Sequence, residues 1–195
     1  MVRSSEKFEK FYAKNRLEGH QWLIENHDKV GGIWLIYYKE NSNKPQMEYN
    51  DTVEEALSFG WIDSKVKVID SEKYKQIFTP RKPGSNWSKT NKIRVSKLIK
   101  NGLMQPAGME KLHAAKKDGS WTFLDDIEDL IIPEDLDRSL EQNTTAKTNF
   151  EAFSSSSKKQ ILYWIASAKK QVTRLKRIKK QLNWYQRIKN PEHII

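Results

Sequence analysis

The chain has 195 residues, a formal net charge of +10 and no cysteine. Its length suffices to bury a core as one large domain or two small ones, and the lack of cysteine excludes disulfide bonds, thiolate metal sites and cysteine nucleophiles. No run of about eighteen apolar residues is present to cross a membrane. The first residues also lack the apolar stretch of a signal peptide, so we expect a cytoplasmic protein without membrane insertion.

The first predicted elements are a strand, a helix and a second strand. The alternating run FEKFYA is typical of a short edge strand. Asn15 and Glu18 have the spacing of a capping box, which predicts a helix over RLEGHQWLIENH with Leu17, Trp22 and Leu23 facing inward. After two glycines, the β-branched and aromatic run IWLIYYK predicts a buried strand.

A short helix and a hairpin are predicted next. Asp51 and Glu54 repeat the capping-box spacing, so this helix should cover TVEEALSF and end at Gly60. The runs WIDSKVKVI and YKQIFTP are separated by DSEK, which predicts an antiparallel hairpin. The period-two alternation of the first run predicts that Ile62, Ser64, Val66 and Val68 face one way and Lys65 and Lys67 the other.

From residue 88 the pattern becomes helical. Ser88 is a natural N-cap, and Gly102 is a natural stop for a helix over KTNKIRVSKLIKN. The helical period places Ile93 among the lysines of the outer face and predicts an inner face of Val95, Leu98 and Ile99. Pro106 and Gly119 then bound a further helix.

The C-terminal third is predicted to be entirely helical. Pro133 begins a helix in an acidic segment, and one of the serines at 154–157 caps the helix KKQILYWIASAKK. Beyond it, apolar residues recur at spacings of three and four and predict an amphipathic helix with an inner stripe of Val172, Leu175, Ile178, Leu182 and Tyr185.

Together these elements predict an α+β fold. A small, antiparallel-rich sheet of three or four strands with helices is followed by a helical C-terminal region. The acidic connector near residues 118–133 is the candidate boundary, which gives regions 1–118 and 119–195. An arrangement of both regions as one domain is the alternative.

Several segments resemble one protein family. The blocks EALSFGWIDSK, FTPRKPGSNWSKTN, LIKNGLMQPAGMEKLHAAKKDGSW, IPEDL, FEAFSSSSKKQILYWIASAKK and TRLKRI follow one another in consistent order from about Trp22 to Ile178. They are similar to the bacterial bacteriocin-protection, YdeI/OmpD-associated family. This resemblance implies tolerance of bacteriocins or antimicrobial peptides and an association with an outer-membrane porin, but it implies no reaction.

Two positions depart from that family's pattern. Ser58 stands where many members carry cysteine, so no thiol chemistry is expected here. Gln171 and Val172 stand where members often have Pro-Glu, which removes the usual signal for a helix break after Lys170.

Known catalytic and cofactor motifs are missing from the sequence. The four histidines lie too far apart for a metal-binding motif such as HExxH, and no GxGxxG, P-loop or GxSxG string occurs. We therefore predict no metal, no cofactor and no catalytic residue.

Positive charge is concentrated in two segments. Lys73 to Lys117 contains twelve Lys/Arg and one acid, and Lys158 to Lys189 contains eleven Lys/Arg and no acid. The rest of the chain holds twelve basic and twenty-four acidic residues, so the basic segments either bind an anionic partner or are neutralised within the molecule.

One loop in the first basic segment is the candidate binding site. Pro80 and Pro83 stiffen the backbone around Arg81 and Lys82, and the loop leads to the N-terminus of the Ser88 helix, which favours anions. Arg81 is suited to bind a carboxylate or phosphate with two parallel hydrogen bonds. The complete set of candidate residues, with two indole rings as a hydrophobic or stacking wall, is Trp61, Asp63, Arg81, Lys82, Trp87, Ser88 and Lys89.

A purely structural interpretation is the alternative for this loop. In it, both tryptophans belong to the core, Ser88 only caps the helix, and Asp63 pairs with Arg81. The segment TRLKRIKK has a similar alternative as the solvated face of an amphipathic helix packed through Leu175 and Ile178.

Three functions follow from these features, in decreasing order of preference. The first is a non-enzymatic binding protein for a small anionic ligand or an acidic protein segment. Its protective role would be indirect, because a net charge of +10 repels cationic peptides. The second is nucleic-acid binding through the basic segments. The third is an enzyme acting on an anionic substrate, with Asp63 as acid or base beside Arg81.

Overall fold

The structure, a computed structural model, describes residues 7–188. It divides into two compact units between Thr122 and Phe123. None of the helices within the described residues is long and apolar enough to cross a membrane.

The N-terminal unit is an α+β structure, so the predicted fold class is confirmed. Its elements are β1 (Glu9–Phe11), α1 (Arg16–Asn26), β2 (Ile33–Tyr38), a 3-10 turn (Glu40–Ser42), α2 (Tyr49–Ser58), β3 (Trp61–Val68), β4 (Lys73–Pro80), α3 (Lys89–Lys100) and α4 (Pro106–Asp118). The four strands form one sheet in the order β1-β2-β4-β3. The β1–β2 pair, which α1 connects, is parallel and the other two pairs are antiparallel, so the sheet is mixed.

The helical caps explain where the elements of this unit begin and end. Asn15 accepts a hydrogen bond from the backbone N–H of Glu18 and starts α1 as predicted. Helix α2, however, begins three residues before the predicted start, and no side chain caps it. The predicted capping box is wrong because the carboxylates of Asp51 and Glu54 bind Arg16 of α1 instead.

Three predictions about the directions of side chains are also wrong. Leu17 is 76% exposed, and Ile99 points outward as Ile93 does, whereas Leu23 and Leu98 are buried. In β3 a register shift between Asp63 and Val66 interrupts the alternation, so Val66 and Val68 are exposed. The hairpin itself is confirmed.

The turn between α2 and β3 positions the candidate loop. Gly60 adopts a φ of 75°, which favours glycine, and its carbonyl accepts the backbone N–H of Arg81 at 2.9 Å. Gly108 of α4 lies against the carbonyl of Ser58 so closely that any side chain there would collide with it. Trp61 and Arg81 therefore lie next to Gly60, close to the point where α4 packs tightly against the end of α2.

The C-terminal unit is helical. Its elements are α5 (Asp125–Glu128), α6 (Glu134–Glu141), α7 (Thr144–Ala152), α8 (Ser155–Ala166) and α9 (Gln171–Tyr185). Ser154 caps α8. This helix ends at Ala166 and α9 begins at Gln171, so the helix is interrupted here although no proline stands at residue 171. In the predicted stripe of α9, Ile178 and Tyr185 are buried and Leu182 is partly buried, but Val172 and Leu175 are exposed.

Each unit has its own apolar core. The core of the N-terminal unit includes Leu57, Trp61, Phe78, Trp87, Leu98 and Leu112. The core of the C-terminal unit includes Leu136, Leu140, Phe150, Leu162, Ile165 and Tyr185.

Candidate functional site at Arg81

The structure brings most of the predicted site residues to one corner of the sheet. Trp61 begins β3 and pairs with Pro80 at the end of β4, so Arg81 follows directly beside it. Trp87 lies in the connection to α3. Ser88 caps this helix by accepting a hydrogen bond from the N–H of Asn91, and Lys89 is its first residue.

The two indole rings do not line an open groove. Trp61 and Trp87 are each 1% exposed, and both belong to the main core. The Nε1–H of Trp61 donates to the carbonyl of His27 at 3.1 Å, while Trp87 packs against Trp121 with ring centroids 5.2 Å apart. The predicted exposed stacking wall is therefore wrong, because these rings contribute more by filling the core than they could at the surface.

The guanidinium of Arg81 is buried together with these rings. Arg81 is 3% exposed, and its Cζ atom lies 3.6 Å from the ring centroid of Trp87, a cation–π contact. Nη1 donates to the carbonyl of Asn86 at 3.1 Å. The Nε and Nη2 atoms have no hydrogen-bond acceptor among the described residues.

Burial lowers the pKa of Arg81 to about 10, while the charge of Asp63 acts in the opposite direction. This value still lies far above neutral pH, so the side chain remains a cation in the protein interior. A buried cation with two unsatisfied donor nitrogens is unusual, because each such donor costs about 1–3 kcal/mol or more.

Asp63 does not neutralise Arg81 by a direct ion pair. Its Oδ2 atom accepts hydrogen bonds from the hydroxyl of Tyr49 at 3.0 Å and from the side-chain amide of Gln76 at 2.7 Å. In the structural alternative, the ion pair between Asp63 and Arg81 is therefore wrong, whereas the placement of both tryptophans in the core is confirmed. Asp63 belongs to a neighbouring polar network and affects Arg81 only through its charge.

The loop over Arg81 is exposed and is held mainly through its backbone. Lys82, Pro83 and Gly84 are exposed, and the N–H of Ser85 donates to the carbonyl of Lys82. The N–H of Gly84 donates to a carboxylate oxygen of Asp118 at 2.9 Å. Lys89 is exposed beyond this loop.

Sequence reasoning missed three contributors to this corner. The carbonyl of Asn86 binds the guanidinium, Asp118 anchors the loop, and Trp121 supports Trp87. The amino groups of Lys92 and Lys116 lie 5.1 and 5.7 Å from the ring centroid of Trp121. The only sequence signal for Trp121 was its place at the end of the block LIKNGLMQPAGMEKLHAAKKDGSW.

A second arginine provides an internal reference for Arg81. In the C-terminal unit, Arg174 of α9 binds Asp135 of α6 with two parallel hydrogen bonds, Nε to Oδ2 at 2.6 Å and Nη2 to Oδ1 at 2.8 Å. These hydrogen bonds lower the pKa of Asp135 and raise that of Arg174. The Nε–Nη2 edge that Arg174 uses is the same edge that has no acceptor in Arg81.

Metal chemistry finds no support in the described part of the chain. Between residues 7 and 188, no group of three or more His, Asp or Glu side chains is arranged to hold a metal ion.

The fold defines a two-unit protein with an α+β domain followed by a small helical domain. Residues 11–111 match the family model described as Domain of unknown function (DUF8412), and because this match covers more than half of the chain, the protein belongs to that family. Residues 129–187 match the family model described as Bacteriocin-protection, YdeI or OmpD-Associated, which confirms the predicted family for the C-terminal unit. Neither a curated protein nor a solved structure matches the chain.

The boundaries of these matches divide the motifs noted in the sequence. EALSFGWIDSK and FTPRKPGSNWSKTN lie within the DUF8412 match. IPEDL and TRLKRI lie within the YdeI/OmpD-associated match. They contain Asp135 and Arg174, which form the ion pair described above.

Proposed function

We propose that the protein is a non-enzymatic cytoplasmic binding protein whose N-terminal unit receives an oxyanion on the Nε–Nη2 edge of Arg81. The oxyanion is a carboxylate or a phosphate group, carried by a small ligand or by an acidic protein segment. The observation that supports this proposal is that Arg81 is 3% exposed and that two nitrogens of its guanidinium have no acceptor among the described residues.

The geometry of the free edge favours an oxyanion. Nε and Nη2 are the two donors with which Arg174 holds a carboxylate elsewhere in this chain. A carboxylate or phosphate matches their spacing with two oxygens and would supply the missing negative charge. In a site with little water, such charge-assisted hydrogen bonds are stronger than they are at the surface.

The surroundings of Arg81 support the same ligand class. Trp87 holds the guanidinium plane by stacking, so little side-chain entropy would be lost on binding. Lys82 adds positive charge at the surface of the loop, and the N-terminus of α3 adds a partial positive charge at Ser88. Because Arg81 is 3% exposed, the oxyanion can reach it only if part of the surrounding structure moves.

The name of the C-terminal family suggests protection against bacteriocins. With a net charge of +10, the chain repels cationic peptides, so we infer that any protection is indirect. Occupation of the Arg81 site by an anionic ligand would be the event that links the protein to such a response.

The direct test is NMR of the arginine Nε–H groups during titration with sodium phosphate, repeated with sodium acetate, at constant ionic strength set with sodium chloride. The Arg81 resonance, assigned by its loss in Arg81→Lys, should shift and saturate. The resonance of Arg174 should stay in place, because its acceptor is already present. The melting temperature should rise along the same titration.

Two variants make the result decisive. Arg81→Lys keeps the charge but lacks the two-donor edge, so at least a tenfold loss of affinity for phosphate is expected once circular dichroism shows that it is folded. Lys82→Gln removes a neighbouring exposed charge and should weaken binding by no more than about threefold. An Arg81 resonance that does not respond to either anion, or that responds equally to chloride, contradicts the proposal.

A further inference from the structure

The second basic segment forms a charged surface on the C-terminal unit. Residues 152–188 contain ten Lys/Arg and no Asp or Glu. Asp135 of α6 pairs with Arg174. Among the described residues, by contrast, no carboxylate pairs with Lys176, Lys179, Lys180 or Arg187 of the α9 region. Their charge therefore remains available to an external anion.

An aromatic cleft lies between α8 and α9 on this surface. It has a volume of about 450 Å³ and is lined mainly by Phe153, Ile161, Trp164, Lys180, Gln181 and Trp184. Trp184 is 43% exposed, and its ring centroid lies 5.7 Å from that of Phe153. Three rings thus line the cleft, of which Phe153 is buried in the core and Trp184 is the most exposed.

Arg177 and Gln181 add polar groups next to these rings. The guanidinium of Arg177 lies 5.0 Å from the ring centroid of Trp164 and also donates to the Trp164 carbonyl at the end of α8. The Oε1 atom of Gln181 is buried in the cleft region and accepts no hydrogen bond from any described residue. The cleft therefore combines ring faces with a free acceptor, which suits a planar ligand that carries N–H donors.

A second cavity of about 490 Å³ adjoins the aromatic cleft. It is lined by Lys176, Lys179, Lys180, Asn183, Trp184 and Arg187, so Lys180 and Trp184 belong to both. Spacings of three and four residues place these side chains on one side of α9. Ring faces and cations without a carboxylate partner among the described residues consequently meet along a single helix, where the amino group of Lys180 lies 6.0 Å from the ring centroid of Trp164.

We propose that this surface, formed by the aromatic cleft and the adjoining lysine-rich cavity, binds single-stranded nucleic acid. Bases stack on Trp164 and Trp184, and phosphates lie along Lys176, Lys180 and Arg187. A single strand is the partner that offers unpaired planar rings and regularly spaced negative charges together. A bilayer would require a protruding apolar face, whereas these rings line a concave cleft.

The test is fluorescence anisotropy of the full chain with a fluorescein-labelled oligo-dT of about twenty nucleotides over a salt series. The plot of log affinity against log salt should fall with a slope of about −2, because about three phosphates release their counterions when the protein's cations bind them. Trp184→Ala should weaken binding about tenfold and leave this slope unchanged, because stacking releases no counterion. Trp184→Phe keeps a ring and should retain most of the affinity.

A pair of variants with equal net charge separates this surface from general attraction. Lys176→Gln/Lys180→Gln should lower affinity about tenfold or more and make the slope shallower by about one to one and a half. Lys169→Gln/Lys170→Gln removes two exposed lysines before α9 and should change affinity by no more than about threefold.

Three outcomes would overturn the proposal. The first is no binding of the oligonucleotide at low salt by wild-type protein. The second is equal binding of wild type and folded Trp184→Ala, or of both lysine pairs, which would indicate unspecific charge attraction. The third is preferential binding to vesicles of phosphatidylglycerol and phosphatidylcholine, which would identify a membrane surface as the partner.

Discussion

Two arginines in this molecule differ in burial and in whether a carboxylate binds the Nε–Nη2 edge of the guanidinium. Arg174 in the C-terminal unit is bound side-on by the carboxylate of Asp135, and both groups keep some contact with solvent. Arg81 in the N-terminal unit is almost fully buried, and the corresponding edge of its guanidinium has no acceptor among the described residues. The more deeply buried cation is thus the one without a carboxylate.

This contrast separates a structural role from a binding role. A charge that only stabilises a fold is expected to have its partner within the fold, because an unpaired buried charge is costly. Arg174 satisfies this expectation by joining α6 to α9. Arg81 does not, which is why we assign its partner to a ligand.

The largest expected effect concerns the ring beneath Arg81. Trp87→Ala removes a fully buried indole and should lower the free energy of unfolding of the N-terminal unit by about 3–5 kcal/mol, measured by urea denaturation. Trp184→Ala is the matched control in the C-terminal unit and should cost roughly 1 kcal/mol or less, because that ring is 43% exposed. Similar losses for both variants would contradict the different packing of the two rings.

The next effect concerns the paired arginine. Asp135→Asn leaves Arg174 without its charged acceptor and should lower the free energy of unfolding by about 1.5–3 kcal/mol. Glu134→Gln is the control on the same helix, because Glu134 pairs with Arg138 at the surface, and it should cost less than about 0.5 kcal/mol. Equal losses would mean that the side-on pair contributes no more than an exposed one.

The same pair makes stability depend on pH. Hydrogen bonds from Arg174 lower the pKa of Asp135 below its ordinary value in the folded protein. The stabilisation is therefore fully present above the ordinary carboxyl pKa of about 4 and is lost as the pH falls through the lower folded-state value. The difference in unfolding free energy between wild type and Asp135→Asn should shrink below about pH 4, and a constant difference down to pH 2 would contradict the assignment.

The smallest effect is expected at Arg81 itself. Arg81→Met replaces an unpaired buried cation with an apolar chain of similar length, so lost contacts to Trp87 and Asn86 are offset by the removal of a desolvated charge. The free energy of unfolding should change by less than about 1.5 kcal/mol in denaturation experiments, while the response to phosphate disappears. A loss above about 3 kcal/mol would show that Arg81 is structural, as Arg174 is.

Local chemistry made much of the fold predictable. The cap at Ser88, the stop at Gly119 and the hairpin β3–β4 depend on neighbouring residues, and all three are present in the structure. The start of α2 was missed because its acidic residues bind Arg16, which lies 35 or more residues away in the chain. Such a contact between distant segments leaves no local pattern.

The position of the candidate site could be predicted from the sequence, but the burial of its side chains could not. The residues around Arg81 were identified from their types and order, and β3 and β4 do bring Trp61 and Arg81 together. The sequence could not indicate that the rings and the guanidinium are sealed, because tryptophan and arginine both occur at surfaces and in cores. The aromatic cleft on α8 and α9 was missed for a related reason, since it depends on how two helices pack.

Strand β3 has a consequence for how the protein behaves at high concentration. It lies at the end of the sheet order with Val66 and Val68 exposed, a composition that invites pairing with another chain. Lys65 and Lys67 alternate with these valines, and the register shift after Asp63 bends the strand. Repulsion between like-charged lysines and an irregular backbone thus disfavour the stacking of β3 strands from different molecules. The register shift that interrupts the alternation of side chains in β3 therefore also opposes aggregation.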